Sequence, residues 1–229
     1  MTKEEIKARQ KFLNSLGADL VVDGIIGPKT LAAEAKFAPP LPIPKVDPKN
    51  YFGAPWIGVD VDLLGRTETD PELTRRLAPH WKKVGLPGYV AKGLVSSARA
   101  WCALRVHYAL SKVGVPTEKL NAGAYSLSSY GAGSPFYFGA LLPIKHRGGG
   151  RHACFFLYWI DEKKKVAATL DGNRSNKFAV FATDLSGRGD TLANGPRFPK
   201  GMTGQFVSKA EVLKAYPFLK VSGSGSGTR

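Results

Sequence analysis

Apolar residues recur with a helical period in the first half of the chain and with a strand period later. Near the N-terminus Ile6, Gln10, Leu13 and Leu16 fall at helical spacing, after an acidic first turn at Glu4 and Glu5. Gly17 stops that helix as a C-cap would. Asp23-Gly24 and Gly27-Pro28 mark two tight turns, and Pro28 suits the first turn of a second helix over residues 29–36. Residues 71–84 and 90–98 also read as helical, and residues 100–113 form a helix ended by Gly114. Gly and Ser then dominate residues 121–134, which read as loop. After Gly148-Gly149-Gly150 the pattern changes. Residues 151–160 are nearly all apolar and have the length of a buried strand. Asp161-Glu162-Lys163-Lys164 turns the chain into a strand over 165–170, Asp171-Gly172-Asn173 turns it again, and residues 178–183 give a third strand. Helices first and strands later predict an α+β protein with an antiparallel meander.

Proline divides the chain. Pro39, Pro40, Pro42, Pro44 and Pro48 favour extended polyproline geometry. The expected organisation is a small helical unit over residues 1–38, a semi-rigid linker over 39–50, a main domain over 51–221 and a Gly/Ser tail over 222–229.

Composition narrows the partners. Hydrophobic residues are 43% of the 229, enough for a real core. Lys+Arg 33 against Asp+Glu 18 gives +15, which favours an anionic polymer: nucleic acid, an anionic membrane or a bacterial wall. No nucleic-acid motif is visible, and the aromatics Phe155, Phe156, Tyr158 and Trp159 fall in a strand that reads as core, so nucleic acid is not the expected partner. No apolar run approaches the roughly 20 residues of a membrane helix. The opening MTKEEIKARQ lacks the apolar stretch of a secretory signal, so synthesis in a cytoplasm is expected.

Two cysteines, Cys102 and Cys154, exclude a disulfide scaffold but not a single bridge. Cys102 stands in the first turn of the 100–113 helix, where free N–H groups and the helix dipole favour a thiolate. Trp101 would shield one side of it, and the Cys102 N–H would serve as an oxyanion donor. The base must come from elsewhere. His107 lies about 140° around the same helix and faces away. His80 sits in a loop-like Pro-His-Trp context and His146 in a basic loop. His152 begins an apolar strand after a glycine run, so it can point into a cleft, with Asp171 and Asn173 available to fix its tautomer. Cys154, inside the same strand, reads as a small buried hydrophobe. Zinc finds weak support: Cys102, Cys154 and His152 are ligand types, but no CxxC or HxxxH spacing accompanies them. Neither a metal nor a cofactor is expected, and Asp60 and Asp62 carry no assigned chemistry.

Two resemblances follow from these residues. LGADLVVDGIIGPKTLAA, residues 16–33, resembles the N-terminal peptidoglycan-binding domain of modular cell-wall hydrolases. That likeness implies a three-helix unit, with the turn residues Asp23, Gly24 and Gly27 at the wall polymer. PWIG (55–58), WCALRVHYALSKVGVP (101–116), GGGRHACFFLYWID (148–161) and LDGNRSN (170–176) resemble the CHAP-type, papain-like amidases and peptidases. This second likeness implies Cys102 as nucleophile, His152 as general base and a polar orienting residue at 171–173. Asn173 fits the family element best, and Asp171 fits relatives that use an acid. It places Trp101 on the substrate side. Cys154 and the basic stretch Lys145, His146, Arg147 and Arg151 depart from the family pattern. Together the likenesses imply a phage endolysin that cuts an amide of peptidoglycan, or an antibacterial effector with the same chemistry. A non-catalytic wall- or nucleic-acid-binding protein is the remaining alternative.

Overall fold

The computed structural model describes residues 3–37 except 16 and 26, residues 51–94, residues 101–188 and residues 190–222. The proline-rich linker, most of the tail and residues 95–100 lie outside these. The chain forms two compact units, divided after Lys45.

The first unit holds α1 (Lys3–Ser15) and α2 (Pro28–Phe37). Gly17 closes α1 at φ 100°, a left-handed conformation cheap for glycine, and Ala18 N–H returns to the Leu13 carbonyl. Leu13, Leu20 and Ala33 make the small core. Gln10, polar in a helical apolar row, is buried because it ties the turn together. Its Nε2 donates to Asp23 Oδ1 at 2.8 Å, and its Oε1 accepts from Gly24 N–H at 2.9 Å.

The second unit is α+β. Its helices are α3 (Pro71–Leu77), α4 (Cys102–Lys112) and α5 (Lys209–Ala215). Its strands are β1 (Ala132–Gly133), β2 (Leu141–His146), β3 (Arg151–Asp161), β4 (Val166–Arg174), β5 (Lys177–Asp184), β6 (Asp190–Leu192) and β7 (Arg197–Phe198). The sheet order is β1-β7-β2-β3-β4-β5, with β6 paired to β2, and all pairings are antiparallel. Seven consecutive residues of β3 are buried, so both faces of that strand are covered. Here α4 packs on β3 and β4, and α5 packs on β3. Trp56, Trp81, Trp101, Phe138, Phe155 and Phe178 fill the core, each contributing on the order of 1.5–3 kcal/mol by its burial.

Several expectations change. The 71–84 helix stops at Leu77 and continues as a 3-10 segment, Ala78–Lys82, which carries His80. Residues 90–94 form turns, not a helix; a 3-10 turn, Pro87–Tyr89, precedes them. His146 ends strand β2 instead of lying in a loop. Asp171, Gly172 and Asn173 are part of β4, and the reversal comes later, at Ser175 and Asn176, both at positive φ. Glycine at 172 signalled a turn, but its reason is packing: a Cβ there would lie 2.8 Å from Arg105 Cβ and 2.9 Å from Trp101 Cζ3. The absent side chain lets α4 sit close on β4.

Among the described residues, no helix is long and apolar enough to cross a membrane.

Candidate active site

The fold brings the N-terminus of α4 against the middle of the sheet. Trp101 is the N-cap of α4 and offers no side-chain cap, so the first-turn N–H groups keep no such partner. Cys102 is the first helical residue. The hydrogen-bonded ladder pairs Cys154 with Asp171, and His152 lies two residues before Cys154 on the same face. His152 and Asp171 therefore meet across β3 and β4: Nε2 and Oδ1 are 2.6 Å apart. That bond leaves Nδ1 as the nitrogen available to the thiol, and Nδ1 makes no hydrogen bond in this conformation.

The electrostatics favour a charged pair. Burial pushes the Cys102 thiol up, but the adjacent imidazole and the backbone of Ala153 and Ala103 pull it down further, and the net direction is down. For His152, burial pushes the imidazole down, while Asp171 and Cys102 raise it to about 10. The low dielectric around the pair strengthens each of these interactions. Cys154 behaves differently. Burial raises its thiol well above the usual range, and the neighbouring Asp171 adds to the rise.

Of the two orienting candidates, Asp171 contacts the histidine. Asn173 sits at φ 69° at the irregularity between Gly172 and Arg174, and among the described residues no hydrogen bond joins it to His152. The bulge re-aims the next side chain. Arg174 Nη1 lies 3.9 Å from Asp171 Oδ1 and donates to Thr183 Oγ1 at 2.5 Å. Sequence reasoning missed Arg174, because only the bulge puts it on the same face as Asp171.

The site is covered. Cys102 is 2% exposed, His152 1% and Asp171 0%. Trp101, expected beside the substrate, is fully buried, so in this state it is core. Its Nε1 has no hydrogen-bond partner.

The other histidines fall into two pairs. His107, which the helix turns away from Cys102, and His80, expected in a loop, are both buried and hydrogen-bonded, Nδ1 to Nε2, at 2.7 Å. Burial holds both below the usual imidazole value, His80 at about 4. His146 pairs with Asp190 at 2.7 Å, and its ring centroid is 6.1 Å from that of His152. It forms a second His–Asp couple beside the first, invisible in sequence because β6 supplies the acid. Asp60 and Asp62 both hold Arg76, at 2.7 and 2.6 Å. One nitrogen of His152, the sulfur of Cys154 and one oxygen of Asp171 all lie within 4.8 Å of one another, a donor set without any sequence spacing to announce it.

In the first unit Asp23 is exposed, but its Oδ1 accepts from Ile25 N–H at 2.8 Å and from Gln10. Gly24 is buried at φ 78°, and Gly27 has open space where a Cβ would point. These residues shape the turn.

The fold and site define an α+β protein with a buried cysteine–histidine–aspartate cluster between a helix N-terminus and an antiparallel sheet. No family model matches the chain, and no curated protein or solved structure matches it.

Proposed function

We propose that this protein is a cysteine-dependent amide hydrolase acting on bacterial peptidoglycan. The carrying observation is the Asp171–His152 bond at 2.6 Å beside a helix-start thiol drawn toward its anion. In this reading the Cys102 thiolate attacks the amide carbonyl, and the backbone N–H of Cys102 steadies the oxyanion. His152 gives its proton to the leaving amine, Asp171 holds the ring, and water releases the acyl group with His152 as base. The wall as substrate rests on the likeness of residues 16–33 to a three-helix peptidoglycan-binding domain and on the +15 charge, which draws anionic envelope polymers. A wall-bound first unit would raise the local concentration of the enzyme at its substrate. The setting is a phage endolysin made in a host cytoplasm and acting at the envelope, or a delivered antibacterial effector with the same chemistry.

Incubating purified sacculi with the full chain tests the reading. Mass spectrometry should find new muropeptides, lost with Cys102→Ala and with His152→Ala in proteins that keep their circular dichroism. Wall cleavage unchanged in Cys102→Ala would remove the thiol mechanism.

The burial of Cys102 favours one second reading, a wall-binding protein whose thiol is silent. It expects sacculus binding without product and no alkylation of Cys102 near neutral pH.

A further inference from the structure

We infer that His152, Cys154 and Asp171 form a binding site for a soft divalent cation of the zinc class, and that filling it switches off the thiol pair. The mechanism above gives Cys154 no task. Yet its sulfur faces Asp171 directly across the ladder and shares its face with His152. The three donor atoms lie within 4.8 Å of one another, and all three residues are buried. One of the cluster's polar atoms, Asp171 Oδ2, is buried and without a hydrogen-bond partner, which is costly unless something supplies the missing interaction.

Zinc bonds of about 2.0–2.3 Å to nitrogen, oxygen and sulfur put tetrahedral ligand atoms roughly 3.3–3.6 Å apart. The His152–Asp171 contact at 2.6 Å would open slightly, and the remaining donors would close within their present spacing. A thiolate and an imidazole select zinc or cobalt over magnesium or calcium, which prefer oxygen. On binding, the cation takes lone pairs from sulfur, nitrogen and carboxylate. The Cys154 thiol proton and any proton on the ligating nitrogen leave to solvent.

The inhibitory half rests on the hydrolase reading; the binding half does not. A cation on Nε2 takes the place of the Asp171 bond that orients the ring. A dication beside the ring also opposes formation of the imidazolium that must protonate the leaving amine.

Cobalt(II) titrated into full-length Cys102→Ala protein tests the binding half. One equivalent should produce a thiolate-to-cobalt charge-transfer band, which zinc bleaches and which is absent from the Cys102→Ala/Cys154→Ala protein. Absence of the band from Cys102→Ala protein overturns the site whatever the enzymatic result. For the inhibitory half, zinc should abolish sacculus cleavage by the wild type, and Cys154→Ala should require roughly tenfold more zinc for the same loss. Equal zinc sensitivity in the two proteins would assign inhibition to Cys102 alone and overturn the switch. Cys154→Ser, closer in size, repeats both measurements if the alanine variant does not fold.

Discussion

His152 and Asp171 hold each other across two neighbouring strands at 2.6 Å, with neither side chain reaching solvent. An acceptor fixed on a rigid sheet sets the tautomer of the ring and leaves Nδ1 toward the thiol. A loop residue would hold the ring with less precision.

The two orienting candidates separate by substitution. Asp171→Asn keeps the shape but loses the charge, and cleavage of sacculi should fall by about 10²–10⁴. Asn173→Gly removes the carboxamide while tolerating φ 69°, and activity should stay within about threefold of wild type. The reverse order of effects would return the orienting role to Asn173.

Activity should follow the charged pair. Cys102 is drawn below its usual value and His152 is raised to about 10, so the imidazole is protonated at neutral pH and the thiolate–imidazolium pair is lost as pH rises through about 10. The same shift affects stability. A raised folded-state value for His152 stabilises the fold fully below the unfolded value of about 6.5, and that contribution disappears through about 10. Thermal melts of wild type and His152→Gln from pH 7 to 11 should converge near the top of this range. A constant gap between them would contradict the assignment.

The two cysteines should differ in reactivity. In single-thiol variants, iodoacetamide should modify Cys102 faster than Cys154 at pH 7.5, because one thiol is pulled toward its anion and the other pushed away from it. Both should react more slowly than in urea, since both are buried. Faster labelling of Cys154 would reverse the roles given to them.

Gly172→Ala tests the close approach of α4 to the sheet. The new methyl would meet Arg105 and Trp101 at under 3 Å, a conflict of overpacking worth about 1–3 kcal/mol. Urea unfolding should show a lower midpoint with an unchanged slope. An unchanged midpoint would mean that the helix yields freely.

Legibility varied with how local the cause was. The Asp23-Gly24 turn, the Gly17 cap, the presence of Cys102 in the first turn of α4 and the apolar β3 could all be read from neighbours in sequence, because capping, turn geometry and periodicity act over a few residues. The strand β2 was missed: Pro143 and the basic end at Lys145 and His146 masked it, and two of its partners, β6 and β7, come far later in the chain. The Asp171-Gly172-Asn173 stretch was misread as a turn, since glycine in a strand and glycine in a turn look alike until the helix packed against it is known.

By itself, the order of residues determined that a helix has Cys102 in its first turn, that an apolar strand follows His152, and that helix-rich sequence precedes sheet. Those outcomes depend on backbone preferences and on the spacing of apolar side chains. Only the tertiary structure decided that Asp171 rather than Asn173 touches His152, that Cys154 joins them, and that Trp101 and Cys102 are covered. Strand register and a single bulge choose which side chains share a face, and both are set by pairing between distant segments.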